Sequence, residues 1–412
     1  MKILVINGEC IQTNTSANLC HLAYISGLVD LGHDVTLLSA DGRDYTLDRN
    51  MVIPSEVKQY TYYGVSLYEK LSLRKKSVSG ADAVPVANNN TAEIAGPSVA
   101  AKIINKAKKA VLSMYGVHGI YATFVRKANK FRSDELFDYI ISVSTPVTSH
   151  LIAHNLIKRR RIKGKHWIQI WEDPWHSDVY GFNGSEKIRK EEKRLLSYAE
   201  RVCYVSPITL KIQREKFPES AHKMYWQPLP FYYKSEPSEK TDLAKNVYGY
   251  FGDYSPEARD LSCFYEAARE AGIEVNICGG PHTLFEPCEN IHIYPRMTLD
   301  KLKPIEDKTN VLIFLCNRKG GQIPGKIYQY SATDKTVLFI MDGTDEEQKV
   351  LHEYFKKYNR YVFCKNTKDD ILRAIEKIES GNLGDVSNTP VDAFDPKLTI
   401  TKILNEGAQC HE

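Results

Sequence analysis

The stretch KILVINGECIQTNTSANLCHLAYISGLVDLGHDVTLLSA, residues 2–40, decides the fold. Its opening KILVIN is a short apolar, β-rich run of the kind buried on both faces of a parallel sheet. The polar turn GECIQTNTSAN then leads into a helical pattern near 17–31, Gly32 stops it, and DVTLLSA at 34–40 supplies a second strand. Strand, helix and strand in that order make a βαβ unit. The turn lacks GxGxxG, so the dinucleotide-binding fingerprint is absent.

Working outward, strand-like segments return at DYIISVS (138–144), HWIQIW (166–171) and RVCYVS (201–206), with helical patterns between them. The segment QPLPFYYKSEPSEKTD, 227–242, is rich in proline and charge and reads as a linker. After it the alternation restarts through NVYGYFGD, CFYEAAREAG, EVNICGG, NIHIYP, NVLIFLC, the loop NRKGGQIPG, KIYQYSA, TVLFIM and YVFCK, with a last helix at 368–380. The expected architecture is α/β, with two doubly wound sheets. The expected domains are 1–232 and 233–385, with a tail at 386–412 packing back on the first. The stretch 42–135 carries few signals: VANNNTAEIAGPS (86–98) resembles a loop, and 98–132 reads as helical.

A chain of 412 residues exceeds what one core supports, which agrees with two domains. A formal net charge of +4 gives no general pull toward nucleic acid. The nine cysteines are scattered without CxxC or zinc-like spacing and read as reduced thiols of a cytoplasmic protein. No apolar run has membrane-spanning length.

Three stretches together resemble the GT-B glycosyltransferases, in particular the family 4 type that builds bacterial polysaccharides. They are STPVTSHLIAHNLIKRRRIKGKHWIQIWEDPW (144–175), EEKRLLSYAERVCYVSP (191–207) and NRKGGQIPGKIYQYSATDKTVLFI (317–340). The resemblance implies two Rossmann-like domains facing a central cleft, an amino-terminal one for the acceptor and a carboxyl-terminal one for the nucleotide sugar. It also implies a hexosyltransferase acting on a UDP-sugar, with retention of configuration, without metal or cofactor, on a glycan or lipid-linked acceptor. One departure stands out. Many members carry two glutamates eight positions apart, the second gripping the donor ribose; here those places are Gly321 and Gln329.

Glycosyl transfer leaves a diphosphate, so the site must stabilise developing negative charge. Gln322, Ile323, Pro324 and Gly325 form the loop ahead of a helix whose positive end would point at that charge, and Lys326 would add a cation. Arg259, in the helix-opening SPEARD, would add a planar fork, although both side chains are also plausible solvated helix starts. Gly252 in YFGDYS suits a tight turn over the diphosphate, and equally an ordinary turn. By resemblance, Pro295, Arg296 and Met297 hold the nucleobase, and an exposed loop is the alternative. In the first domain WEDPWHSD puts Glu172, Asp173 and His176 at a strand end, where open α/β sheets bind ligands. Asp173 matches the family's DPW aspartate and is the candidate catalytic carboxylate, against a plain Asp-Pro turn. Trp171 and Trp175 would stack a sugar or fill the core. Asn14, Thr15 and Ser16 resemble the family's cleft loop, with Ser16 alternatively the helix N-cap.

The basic residues Lys102, Lys106, Lys108, Lys109, Arg126, Lys127, Lys130 and Arg132, with Arg159, Arg160 and Arg161, suit peripheral contact with the inner membrane face, or a solvated surface. Two other readings compete. Gly320, Gly325 and Lys326 fit GxxxxGK of a phosphate-loop kinase, but Ile327 stands where Ser or Thr must hold Mg²⁺. A non-catalytic GT-B subunit that binds a nucleotide or glycan would account for the missing glutamates.

Overall fold

The computed structural model describes residues 1–66, 68–70, 116–178, 185–234 and 245–406. The chain forms two compact units: Met1–Val205 with Gln213–Gln227 and Ile400–Glu412, and Ser206–Ile212 with Pro228–Thr399. The first passage between units falls at 205/206, ahead of the proline-rich segment read as the linker.

The first unit holds strands β1 (Lys2–Asn7), β2 (Asp34–Ala40), β3 (Lys58–Tyr62), β4 (Leu136–Ser144), β5 (Lys163–Trp171), β6 (Arg201–Tyr204) and β7 (Met224–Trp226). They make one parallel sheet in the order β3-β2-β1-β4-β5-β6-β7. Residues 3–7 of β1 are all buried, as its unbroken apolar run requires. Helix α1 (Ser16–Asp30) starts at the cap Thr15, whose hydroxyl accepts from Asn18 N–H, and Gly32 beyond its end sits at φ +74°. Thr15, not Ser16, is therefore the N-cap.

Two strands and one helix differ from the sequence reading. Strand β3, KQYTY, lies at the sheet edge with four of its five residues exposed, so it has no apolar alternation to announce it. Strand β7 has only three residues. Of the helix expected over 98–132, the part before 116 lies outside the described residues. From there a 3₁₀ segment, Gly116–Tyr121, runs to an α-helix of just seven residues, α2 (Ala122–Ala128). Gly119 at φ 56° interrupts the spiral.

The second unit holds β8 (Val247–Phe251), β9 (Glu274–Cys278), β10 (Ile291–Tyr294), β11 (Val311–Leu315), β12 (Thr336–Met341) and β13 (Tyr361–Lys365). This sheet too is parallel, in the order β10-β9-β8-β11-β12-β13. Its core gathers Val275, Ile277, Ile313, Leu338 and Ile340 from the strands with Phe264, Ile371 and Ile375 from the covering helices. Each unit therefore winds one way from its first strand and the other way from its fourth, leaving switch points at β1/β4 and β8/β11.

The end of the chain belongs to the first unit. There Arg201 Nη1 donates to Leu404 O at 2.8 Å and the Tyr225 hydroxyl to Ile403 O at 2.8 Å, both buried. These bonds tie down the last carbonyls of helix Pro396–Glu406, which have no intrahelical partner. Tyr225→Phe should cost about 1 kcal/mol of stability by urea denaturation, with the fold retained.

Candidate functional site

In the second unit the loops leaving β8, β9 and β11 converge at the switch point. Gly252 N–H donates to Cys278 O at 2.9 Å, and a side chain on Gly279 would have its Cβ 1.9 Å from Gly252 O. Only glycine permits this approach. Beyond Gly252 the chain makes a tight turn, with Ser255 and Arg259 exchanging main-chain hydrogen bonds at 2.9 Å, and helix Ser262–Ala271 begins only afterwards. Arg259 thus belongs to a turn and not to a helix start. Its guanidinium lies 3.8 Å from the place a Cβ on Gly252 would occupy, so the two meet.

The loop after β11 packs on that turn. Arg318 N–H donates to Ala258 O at 2.8 Å, and its guanidinium reaches Pro256 O at 2.6 Å and Asp260 at 3.5 Å. Arg296, following β10, pairs with Asp253 at 3.0 Å, and Asp253 also accepts from Gly280 N–H. Pro295 is exposed, and Arg296 and Met297 are half-buried. Lys326 is partly exposed and lies 3.9 Å from Glu306. Both act electrostatically on Cys278, at the end of β9, whose thiol burial pushes up to about 12, Glu306 adding and Lys326 opposing. Gln322 and Ile323 are buried, and Gln322 O accepts from Asn317 at 3.1 Å. Helix Lys326–Ser331 has only six residues, too short for the strong terminal dipole expected of it.

In the first unit the strand ends carry carboxylates. Glu172, immediately after β5, is buried and pairs with the fully buried His21 of α1 at 3.3 Å. Burial raises the Glu172 carboxyl, and His21 opposes it. Asp173 is half-buried and accepts from Thr145 Oγ1 at 3.5 Å. The main-chain N–H groups of Trp175 and His176 donate to the two oxygens of Glu192 at 3.3 and 2.7 Å. Burial raises this carboxyl to about 7 against those two bonds. Burial, then Lys216 and Arg189, lowers the His176 imidazole. Asn14 donates to Asp48 at 2.7 Å, and Thr15 is occupied as the helix cap. Trp171 is fully buried, donating to Gln169 at 2.9 Å, so it fills the core and cannot stack a sugar.

No protein-family model and no curated protein matches the sequence. Solved structures do. A glycosyltransferase from Rickettsia africae superposes with TM-score 0.55 at 12% identity, covering 100% of this chain and 98% of its own. The lipopolysaccharide outer core galactosyltransferase WaaB, in its apo form, gives 0.52 at 12% identity over 100% of both chains. A trehalose-6-phosphate structure from E. coli bound with UDP-2-fluoro glucose gives 0.51 at 11% identity, over 100% and 98%. The chain has the GT-B fold.

Within this GT-B chain the two exchanged glutamate positions have structural causes. Gly321 sits at φ +70°, and a Cβ there would lie 2.5 Å from Ile208 Cγ2. Its carbonyl accepts from the hydroxyls of Ser206 at 2.6 Å and Thr209 at 3.2 Å. A glutamate has no room. The Gln329 carboxamide accepts from Tyr232 N–H at 3.0 Å and donates to Tyr233 O at 2.7 Å. It is engaged with the main chain just after the crossing at 227/228. Sequence reasoning also missed Arg318, Asp253 and Glu306. Arg318 stood in the same loop as Lys326 and was open to notice, whereas the other two acquire meaning only from their neighbours.

Gln329→Glu should therefore lower stability by about 1–2 kcal/mol, because a carboxylate cannot donate to Tyr233 O. Urea denaturation at neutral pH measures it, and an unchanged midpoint would show that this clamp contributes nothing.

Proposed function

We propose that this GT-B chain is a metal-independent glycosyltransferase, moving a hexose from a nucleoside diphosphate, UDP in the first place, to a hydroxyl of a glycan or lipid-linked acceptor in polysaccharide assembly. One observation carries the reading: Arg259 and Arg318 border the glycine turn at the β8/β11 switch point, with Lys326 beside the neighbouring strand end. Fixed cations over a close-approach backbone are what a leaving diphosphate needs, and they act without reorganising at the moment of reaction. The E. coli structure bound with UDP-2-fluoro glucose, which shares the fold, supports a UDP-sugar donor. No cofactor is required, and the course implied by the resemblance is retention.

A membrane-held acceptor agrees with the first unit's surface. Lys127, Lys130, Arg132, Arg159 and Arg160 are exposed, and Arg161 Nη1 bonds Lys130 O at 3.2 Å, joining their two turns into one basic patch. Such a patch suits anionic lipid headgroups. Lys102, Lys106, Lys108 and Lys109 lie outside the described residues. Among the described residues no helix is long and apolar enough to cross a membrane. The second reading is a GT-B subunit that binds a nucleotide or glycan without catalysis, and the occupied positions 321 and 329 favour it.

Incubation with a panel of UDP- and GDP-sugars separates the two readings. The enzyme reading expects release of free nucleotide, slow with water alone, and a subunit releases none. In the active case, Lys326→Ala should reduce turnover ~10²-fold or more with the unfolding temperature kept. A chelator should leave the rate unchanged, and a strict divalent requirement would contradict the metal-independent mechanism.

A further inference from the structure

The first unit carries a pocket that no motif marks. It lies between α2 (Ala122–Ala128) and the helix α3 (Thr148–Lys158), holds about 410 Å³ and opens at the surface. That volume falls within the range of small-ligand clefts. Ala122, Val125 and Leu151 give it apolar walls, and Arg126, Asn129 and Asn155 give it polar groups. Spacing explains the grouping, because positions three and four apart share a helix face: 122, 125, 126 and 129 on one side, 151 and 155 on the other. His118, ahead of α2, completes the lining; its Nε2 meets Glu191 at 2.9 Å and its ring lies 5.2 Å from that of Trp175. The pocket therefore adjoins the segment after β5 that carries Asp173.

Its polar groups are uncommitted. Among the described residues Arg126, Asn129 and Asn155 make no side-chain hydrogen bond or ion pair, and Asn129 Oδ1 and His118 Nδ1 are buried without a partner. Glu191, the carboxylate that reaches the lining, is shared between His118 and Arg194, the latter at 2.5 Å. What is left is a guanidinium ready for an anion, beside two carboxamides that can each donate or accept. Next to these residues in the chain Lys127, Lys130, Lys158 and Arg159 are exposed, and the bond from Arg161 Nη1 to Lys130 O joins the ends of the two helices.

We propose that this pocket takes the headgroup of an anionic phospholipid. The phosphate lies against the Arg126 guanidinium, the headgroup hydroxyls against the carboxamides of Asn129 and Asn155, and the first methylenes of the chains along Ala122, Val125 and Leu151. The proposal rests on the membrane contact of the reading above and gives that contact a specific site. Arginine suits a phosphate because its planar fork matches two phosphate oxygens at once. A membrane lipid fits the surroundings better than a free phosphate ester does. The exposed cations continue beyond the pocket, where a small ester offers them nothing and a layer of anionic headgroups does. A headgroup bound here holds the neighbouring Trp175 segment at the bilayer surface, where a lipid-linked acceptor is presented.

The test uses the full chain and vesicles of phosphatidylcholine, alone or with an equal amount of phosphatidylglycerol, read by flotation. Wild type should float with the mixed vesicles only. Arg126→Gln should weaken that binding ~10-fold or more, against ~5-fold at most for Lys127→Gln, which removes the same charge from the same helix outside the pocket. Asn155→Leu leaves the charge unchanged and should still weaken binding about 5-fold, with the unfolding temperature kept. Wild-type binding by Asn155→Leu, with Arg126→Gln no worse than Lys127→Gln, overturns the pocket and leaves the membrane contact standing as a diffuse charge effect. A wild type that floats with neither vesicle overturns the membrane contact and the pocket together, without touching glycosyl transfer. Independently of vesicles, dihexanoyl phosphatidylglycerol added as monomers should shift, saturably, the carboxamide ¹⁵N–¹H signal missing from Asn155→Leu. Glycerophosphoglycerol, the same headgroup without chains, should shift it more weakly. An unmoved signal overturns the proposal, and equal binding by the chain-free headgroup overturns the lipid as its occupant.

Discussion

Burial of parallel strands on both faces is the constraint from which the rest of this molecule follows. A strand such as β1 or β11 leaves no room for polar side chains along its length, so the polar chemistry moves to the loops. Because every strand in each sheet runs the same way, those loops emerge together at one edge. Reversal of the winding after β1 and after β8 then opens a gap between loops in each unit. Glu9 and Gly252 occupy those two places.

The units use the same geometry for opposite charge. Around the β8/β11 gap the backbone approaches itself at Gly252 and Gly279, and Arg259, Arg318, Arg296 and Lys326 surround it, the last three paired with Asp260, Asp253 and Glu306 in turn. Around β1/β4 the buried Glu172 faces the fully buried His21 of α1. The cationic edge suits a diphosphate and the carboxylate edge suits hydroxyls that must be held or deprotonated. Burial raises the Glu192 carboxyl to about 7, and its two oxygens are spent in capping the loop at Trp175 and His176.

The exchanged glutamates show how a local motif yields to packing. At position 321 the backbone has φ +70° and Ile208 fills the space, so glycine is dictated by geometry. At 329 an amide, which both donates and accepts, fits the main chain of Tyr232 and Tyr233 in a way a carboxylate cannot. Neither exchange touches Arg259 or the glycine approach at Gly252.

By itself the sequence determined the alternation of strands and helices in both halves, because buried parallel strands write themselves as apolar runs and glycine closes the helices that follow. It also singled out Lys326, Arg259 and Gly252, although it put Arg259 at a helix opening where the structure has a turn. It did not reveal β3, whose edge position leaves it polar. It could not show that Trp171 is core or that Gln329 grips the main chain. Those facts depend on which residues are brought within a few ångströms: Gln169 against Trp171, Tyr233 against Gln329, Ile208 over Gly321. Periodicity along a chain reports burial, whereas the protonation and partners of a polar side chain are set by neighbours that only the tertiary structure supplies.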